Sequence, residues 1–101
     1  MIKVSYAKSD EAYKLLEVKG HAYSDVPGKD LICAAVSSII FGLMNALDML
    51  DEKVQIKELD NMIIIENNSD SSIVNDYFEL TLIQLKTIEE SYSQFIKIER
   101  K

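Results

Sequence analysis

The sequence predicts an α+β domain whose elements follow the order ββαββαβ, with two helices covering a mostly antiparallel sheet. Two observations carry this prediction: several short stretches alternate apolar and polar residues as half-buried strands do, and two longer stretches show helical spacing. The 101 residues are 48% hydrophobic and include three Gly and one Pro. This composition can fill one core and is unlike that of a disordered or repetitive chain. We therefore expect a single domain over residues 1–101.

Two strands precede the first helix. Residues 2–6 alternate apolar and polar side chains, and residues 13–20 place Leu16 and Val18 on one side of a second strand. The segment that follows contains the only proline of the chain, Pro27, and a glycine. These residues predict a loop between the second strand and the helix.

The first helix is expected to begin after Asp30, whose side chain is placed to act as the N-cap, and to run to about Leu50. Cys33 then lies in its first turn. Residues 31–47 carry no formal charge, which predicts a central helix packed on more than one side. The run is slightly short for a membrane span and is interrupted by serine and asparagine, so we expect a buried helix.

The second half of the chain predicts two strands, a helix and a last strand. The strands are expected over residues 54–59 and 62–66, with a turn at residues 59–61 between them. Residues 67–70 are expected to supply the loop and the cap of a helix over residues 71–92, and the last strand to include Ile96 and Ile98. The apolar stripe of this helix consists of Val74, Tyr77, Phe78, Leu85 and Ile88.

The charge balance and the cysteine content limit the possible partners. Seventeen acidic residues against eleven basic ones give a formal charge of −6, which argues against direct nucleic-acid binding and favours a basic partner. The single cysteine excludes an intrachain disulfide and an all-cysteine zinc site, and it fits a reducing compartment. Exposed sheet edges with only two covering helices predict a homodimer.

Three reactive side chains are expected around one loop, with His21 at its start and Asp30 and Cys33 at its end. A cysteine at a helix N-terminus is stabilised as thiolate by the helix dipole and by unpaired amides. A nearby imidazole can take up the thiol proton and deliver it to a leaving amine. The same amides can hold an oxyanion, so the sequence predicts a nucleophile, a base and an oxyanion hole.

Each of these residues also has a simpler interpretation. A lone cysteine in an apolar helix is commonly a core residue. His21 can be a structural histidine at a strand end, and Asp30 can act as a cap alone. Ser37 is expected to donate its hydroxyl to the carbonyl of Cys33, four residues back. It is the joint placement of these residues around one loop that favours chemistry.

The two motifs resemble those of the ribosomal-processing cysteine protease family Prp. Residues 20–22 (GHA), a loop closing on Gly28, and residues 30–37 (DLICAAVS) carry the resemblance. The eleven residues between His21 and Cys33 also match the spacing in that family. Outside these motifs the similarity is limited to chain length, element order and hydrophobic pattern.

The resemblance implies a bacterial cytoplasmic endopeptidase with no metal or organic cofactor. Its substrate would be large-ribosomal-subunit protein twenty-seven, a basic protein whose N-terminal extension is removed. Cys33 is implied as the nucleophile and His21 as the general base, and residues 22–29 are hypothesised to form a gate over the substrate. The supporting positions would be Asp30, Ser37, Gly20 and Gly28.

A second interpretation is a non-catalytic ribosome-assembly factor. In that case the acidic surface would hold a basic ribosomal protein, and Cys33 would be an inert core residue. The reactivity of the thiol distinguishes the two interpretations.

Overall fold

A computed structural model describes residues 1–20, 29–50 and 52–101, including every side chain in these ranges except those of residues 29 and 30. The predicted order ββαββαβ and the mostly antiparallel sheet are confirmed. The elements are β1 (Ile2–Ser9), β2 (Ala12–Lys19), α1 (Lys29–Leu50), β3 (Val54–Leu59), β4 (Met62–Asn67), α2 (Ser72–Ser91) and β5 (Ile96–Arg100).

The five strands form one sheet in the order β3-β4-β2-β1-β5. All neighbouring pairs are antiparallel except β1 and β5, which run parallel with Ile2 opposite Ile96. Alternation along the strands turns one side chain in two towards the helices. The buried face includes Val4, Leu16 and Ile65, as the sequence pattern predicts.

Helix α2 is anchored through its cap and its apolar stripe. Ser71 is the N-cap, and its hydroxyl accepts a hydrogen bond of 3.2 Å from the amide of Val74. The cap therefore lies one residue after the predicted residues 67–70, and Asn67, the first of these, is the last residue of β4. The predicted stripe is confirmed, with three members buried and the others partly buried: Val74, Phe78 and Leu85, then Tyr77 and Ile88.

Helix α1 packs on one side only, so the prediction of a helix packed on more than one side is wrong. Both helices lie on the same face of the sheet, and within the described residues no element covers the outer side of α1. Leu31, Phe41 and Met49 are exposed there. The residues of α1 that reach the core are Ile32, Val36, Ile40, Leu43 and Leu47.

Among the described residues one stretch, Leu31–Leu50, is long and apolar enough to cross a membrane by length and composition. The core helix of a globular domain meets the same criteria. Since one side of α1 packs in the hydrophobic core, its apolar character has an explanation without a membrane.

A polar network joins β2 to the start of α2. Asn67 is buried, and its Nδ2 donates to the carbonyl of Tyr13 at 2.9 Å. Its Oδ1 accepts from the amide of Ser69 at 3.0 Å and from the hydroxyl of Ser69 at 2.7 Å. The Tyr13 hydroxyl donates to Glu79, and the pKa of Tyr13 is raised by burial and by this carboxylate. The network holds the N-terminal end of β2 against α2.

Gly20 ends β2 in a conformation that other residues rarely adopt. Its φ is +83°, and its amide donates to the carbonyl of Asn61 at 3.0 Å. A Cβ atom at this position would lie 2.7 Å from the carbonyl oxygen of Met1. The backbone therefore requires glycine here for two independent reasons.

We expect Asn67→Ala to lower the free energy of unfolding by about 2–4 kcal/mol, because it leaves the buried Tyr13 carbonyl and Ser69 amide without a partner. Urea unfolding measures the effect. The neighbouring Asn68 is exposed, so Asn68→Ala is a matched control expected to change stability by less than ~0.5 kcal/mol. Equal midpoints for the two variants would show that the network contributes no net stability.

We expect Gly20→Ala to destabilise the fold by about 2 kcal/mol, because alanine is strained at positive φ and its methyl group meets backbone. Gly42 lies in α1, and a methyl group added to it would have no neighbouring atom within 4 Å. Gly42→Ala should therefore have the opposite sign and stabilise by up to ~1 kcal/mol. Unfolding midpoints of the two variants that shift in the same direction would contradict this account.

Candidate active site

The N-terminal turns of α1 carry the candidate nucleophile. Because α1 begins at Lys29, Asp30 is its second residue instead of the N-cap expected from the sequence. Cys33 is accordingly the fifth residue and lies just past the first turn, since one turn takes 3.6 residues. The helix starts one turn before Cys33. The first four amides of a helix have no partner within it, and here they belong to residues 29–32, which precede the cysteine.

Cys33 is a free thiol that is partly accessible. Its side chain is half-buried and packs against the hydrophobic core. A fully buried sulfur could not meet a substrate, whereas a half-buried one is held in place on one side and open on the other. The partial exposure of the residue is compatible with the access that a nucleophile needs.

Ser37 lies one turn after Cys33 and is half-buried. The predicted hydrogen bond from its hydroxyl to the Cys33 carbonyl is absent among the described residues, so that prediction is wrong. The same type of bond does form in α2, where the hydroxyl of Thr81 donates to the carbonyl of Tyr77 at 2.8 Å. The Ser37 hydroxyl thus keeps its hydrogen-bonding capacity on the flank of α1 that carries Cys33.

The topology directs Cys33 and Gly20 towards the same end of the sheet. The last turns of α1 and the first residues of β3 line a common cavity of about 200 Å³ that includes Leu47 and Val54. Strand β3 starts at this cavity, and its other end pairs with Met62 of β4. Met62 pairs in turn with Lys19 of β2. Since α1 extends back along the sheet from this cavity, its N-terminal turns point to the end where β2 finishes.

Several predicted site residues lie outside the described residues. These are His21, Gly28 and the side chain of Asp30. The same is true of the proposed gate, residues 22–29, apart from the helical start at Lys29. The structure positions the strand end before His21 and the helix that carries Cys33, and these two elements form the described part of the site.

Asn61 contacts the strand end that precedes His21, although sequence reasoning treats it only as part of a turn. Its carbonyl holds the amide of Gly20, the residue before His21. Its side-chain Oδ1 is buried and has no hydrogen-bond partner in the described structure. An asparagine before a strand gives a turn signal in the sequence, but only the pairing of β2 with β4 shows that it contacts the strand end.

Acidic and cysteine side chains do not gather into a possible metal site in the described part of the chain. The other notable concavity is a groove of about 310 Å³ between α1 and α2, lined by apolar and small residues that include Gly42, Ala46 and Leu80. At 100° per residue, Gly42 is about half a turn around α1 from Cys33. The groove and the cysteine therefore face different directions.

Comparison with known proteins identifies the relatives of this chain. Residues 1–97 match the family model described as cysteine protease Prp. The ribosomal processing cysteine protease Prp of Staphylococcus aureus (strain Mu50 / ATCC 700699) is 31% identical over 110 residues, covering all of both chains.

Two solved structures have the same fold over the full length of both chains. The essential ribosomal processing protease Prp from S. aureus in complex with a substrate peptide superposes with a TM-score of 0.92 at 28% identity. The same protease with a covalently linked product peptide gives 0.88 at 29% identity. With a family match over nearly its whole length, this chain belongs to the ribosomal processing cysteine protease Prp family and is a cysteine-type endopeptidase.

Proposed function

We propose that this protein removes the N-terminal extension of large-ribosomal-subunit protein twenty-seven, with Cys33 as nucleophile and His21 as general base. One observation carries the assignment of the nucleophile. A cysteine protease needs a reactive cysteine, and Cys33 is the only cysteine of the chain. Its half-buried thiol in the N-terminal turns of α1 has the access that the role requires.

The assignment of the base rests on a similar argument. His21 is the only histidine of the chain. It directly follows Gly20, whose amide donates a hydrogen bond to the carbonyl of Asn61 and is thereby held at the end of β2. The strand end that precedes His21 is thus held at the end of the sheet towards which the N-terminus of α1 points.

The substrate is supported by the relatives. Solved structures of S. aureus Prp include complexes with a substrate peptide and with a covalently linked product peptide. The relatives are named for ribosomal processing. A basic ribosomal protein also suits an enzyme with a formal charge of −6.

The chemistry follows from these roles. The Cys33 sulfur, as thiolate, attacks the scissile carbonyl and forms the C–S bond, and the carbonyl electrons move to oxygen as an oxyanion. Amides at the start of α1 stabilise that oxyanion. The protonated His21 gives its proton to the leaving amine as the C–N bond breaks. Water, deprotonated by His21, then hydrolyses the thioester and regenerates the thiolate.

The remaining motif residues are assigned supporting roles. Gly20 sets the direction in which the chain leaves β2, as its positive φ requires. Ser37 offers a hydroxyl without a partner among the described residues beside the cysteine. Asp30 and Gly28 flank the start of α1, where a carboxylate interacts favourably with the helix dipole. We place this activity in the cytoplasm, without a cofactor.

The alternative of a non-catalytic assembly factor is wrong, because this chain belongs to a family of cysteine proteases. It requires Cys33 to be an inert core residue, whereas the thiol is half-buried. An acidic surface that attracts a basic ribosomal protein is compatible with both, because such a surface also concentrates the substrate of a protease.

We propose in addition that the protein forms a homodimer through the outer faces of its two helices, and not through the sheet edges on which the sequence-based expectation of a dimer rests. Small residues of α1 line the groove between the helices, and Leu80 and Ile83 of α2 are each more than half exposed beside it. A two-fold axis would bring the apolar ridge of one copy onto the groove of the other. Exposed apolar patches of this kind commonly mark an interface.

We expect Cys33→Ala and His21→Ala each to reduce cleavage by at least ~10³-fold, because each removes one partner of the reaction. The assay uses the ribosomal protein with and without its extension, and mass spectrometry identifies the new N-terminus. Asn45→Ala, an exposed change on α1, should retain full activity.

A folded Cys33→Ala protein that still cleaved the extension would refute the assignment of the nucleophile. Retained activity in His21→Ala would refute the base. Cleavage elsewhere than at the extension by the unmodified enzyme would refute the proposed substrate while leaving the chemistry intact.

We expect Leu80→Glu to convert the dimer to a monomer, because it places a charge in the apolar interface without disturbing the core. Sedimentation velocity measures the oligomeric state. Leu59→Glu is the matched change on the sheet edge, where the side chain is exposed to a similar degree, 54% against 55%. Dissociation by Leu59→Glu alone would place the interface on the edge strand β3.

A further inference from the structure

Three lysines lie in a row across the face of the sheet that the helices leave open. Lys3 of β1 is directly opposite Lys19 of β2 and directly opposite Lys97 of β5. Residues opposite each other share a face, and neighbouring strands are ~4.8 Å apart, so the row is ~10 Å long. All three lysines are exposed, while the flanking Ile2 and Val4 point into the core.

The lysines in this row have little local compensation. Like charges directly opposite each other disfavour strand pairing. Lys97 lies 3.4 Å from Glu99, and both side chains are more than half exposed. Lys3 and Lys19 form no ion pair with any described residue. The other two lysines of this face are paired, Lys101 with Glu17 and Lys57 with Glu66.

The fold separates charge between its two sides. The open face carries five lysines and three glutamates, which gives it a formal charge of +2. Because the whole chain has a formal charge of −6, the remaining residues carry −8. The charges of this face are Lys3, Lys19, Lys57, Lys97 and Lys101 against Glu17, Glu66 and Glu99. An overall acidic protein thus presents a locally basic surface.

We infer that the lysine row binds the phosphate backbone of RNA. Each of the three ammonium groups stands on a flexible four-carbon stem and can contact one phosphate, so the row can make about three phosphate contacts along one strand. Lysine binds phosphate as a point charge and needs no adjoining pocket. An extended acidic peptide would be expected to use apolar anchor pockets, and these lysines line none of the four best-formed cavities among the described residues.

The position of the row connects it with proteolysis. Lys19 is the last residue of β2 and directly precedes Gly20, so the row lies at the sheet end that leads into the active-site motif. The choice of RNA over DNA rests on the proposed function, because ribosomal proteins are bound to RNA. Docking on RNA through this face would bring the protease next to an RNA-bound substrate.

The test is binding to a fluorescein-labelled RNA duplex between 20 and 200 mM KCl, followed by fluorescence anisotropy. Unmodified protein should bind with a log–log salt slope near −2.7, the value expected for about three phosphate contacts. The triple variant Lys3→Gln/Lys19→Gln/Lys97→Gln should lose at least about tenfold in affinity and most of that slope. The control Lys14→Gln/Lys53→Gln/Lys86→Gln, with the same change in net charge, should change affinity less than about threefold.

Three outcomes would overturn the inference: no binding to RNA at 20 mM KCl, equal weakening in both triple variants, or tighter binding to a poly-glutamate peptide than to RNA. A DNA duplex should bind with similar affinity, because phosphate contacts do not read the 2′-hydroxyl; binding to RNA that was lost on DNA would overturn the assignment of the contacts to phosphate. Cleavage of a free extension peptide should be equal in the unmodified protein and the row variant. That measurement separates a failure of RNA docking from a failure of the proposed function.

Discussion

The burial of one face of the sheet under two helices is the constraint on which the rest of the structure depends. Apolar side chains alternate along β1, β2 and β4, and all of those that point one way meet α1 and α2. The opposite face is left to solvent and carries charges. Because there is no third layer among the described residues, α1 also keeps an exposed apolar side. The separated charge, the groove between the helices and the half-buried Cys33 all follow from this two-layer arrangement.

The sequence predicts the elements well because their signals are local. Alternation in residues 2–6 and helical spacing around Phe78 each identify an element without reference to the rest of the chain. The ends of the elements are less predictable, since a cap can be chosen among neighbouring polar residues. Asp30 is the best N-cap by residue type, yet α1 begins at Lys29, and the cap of α2 is Ser71. The packing of α1 on one side depends on the other elements and has no local signal.

The candidate site is predictable where it depends on a motif and unpredictable where it depends on register. Cys33 is identified by its place in DLICAAVS, and the family match supports the same assignment. Nothing in the sequence indicates that Asn61 holds Gly20, because the contact requires β2 and β4 to pair. The lysine row is a similar case, since Lys3 and Lys97 become neighbours only when the first and last strands meet. Net charge alone conceals this surface.

The parallel pairing of β1 with β5 has a consequence for how the protein is made. Strand β1 is synthesised first and β5 last, yet Ile2 lies opposite Ile96 and its amide donates to the carbonyl of Phe95 at 2.8 Å. The sheet therefore cannot close until β5 has left the ribosomal exit tunnel, and this contact of high sequence separation is expected to form late in folding. Until then one edge of β1 is unpaired. Met1, whose carbonyl oxygen lies against Gly20, also lacks the neighbouring strand β5. The end of the sheet that leads into the candidate active site is therefore completed only when β5 docks beside β1.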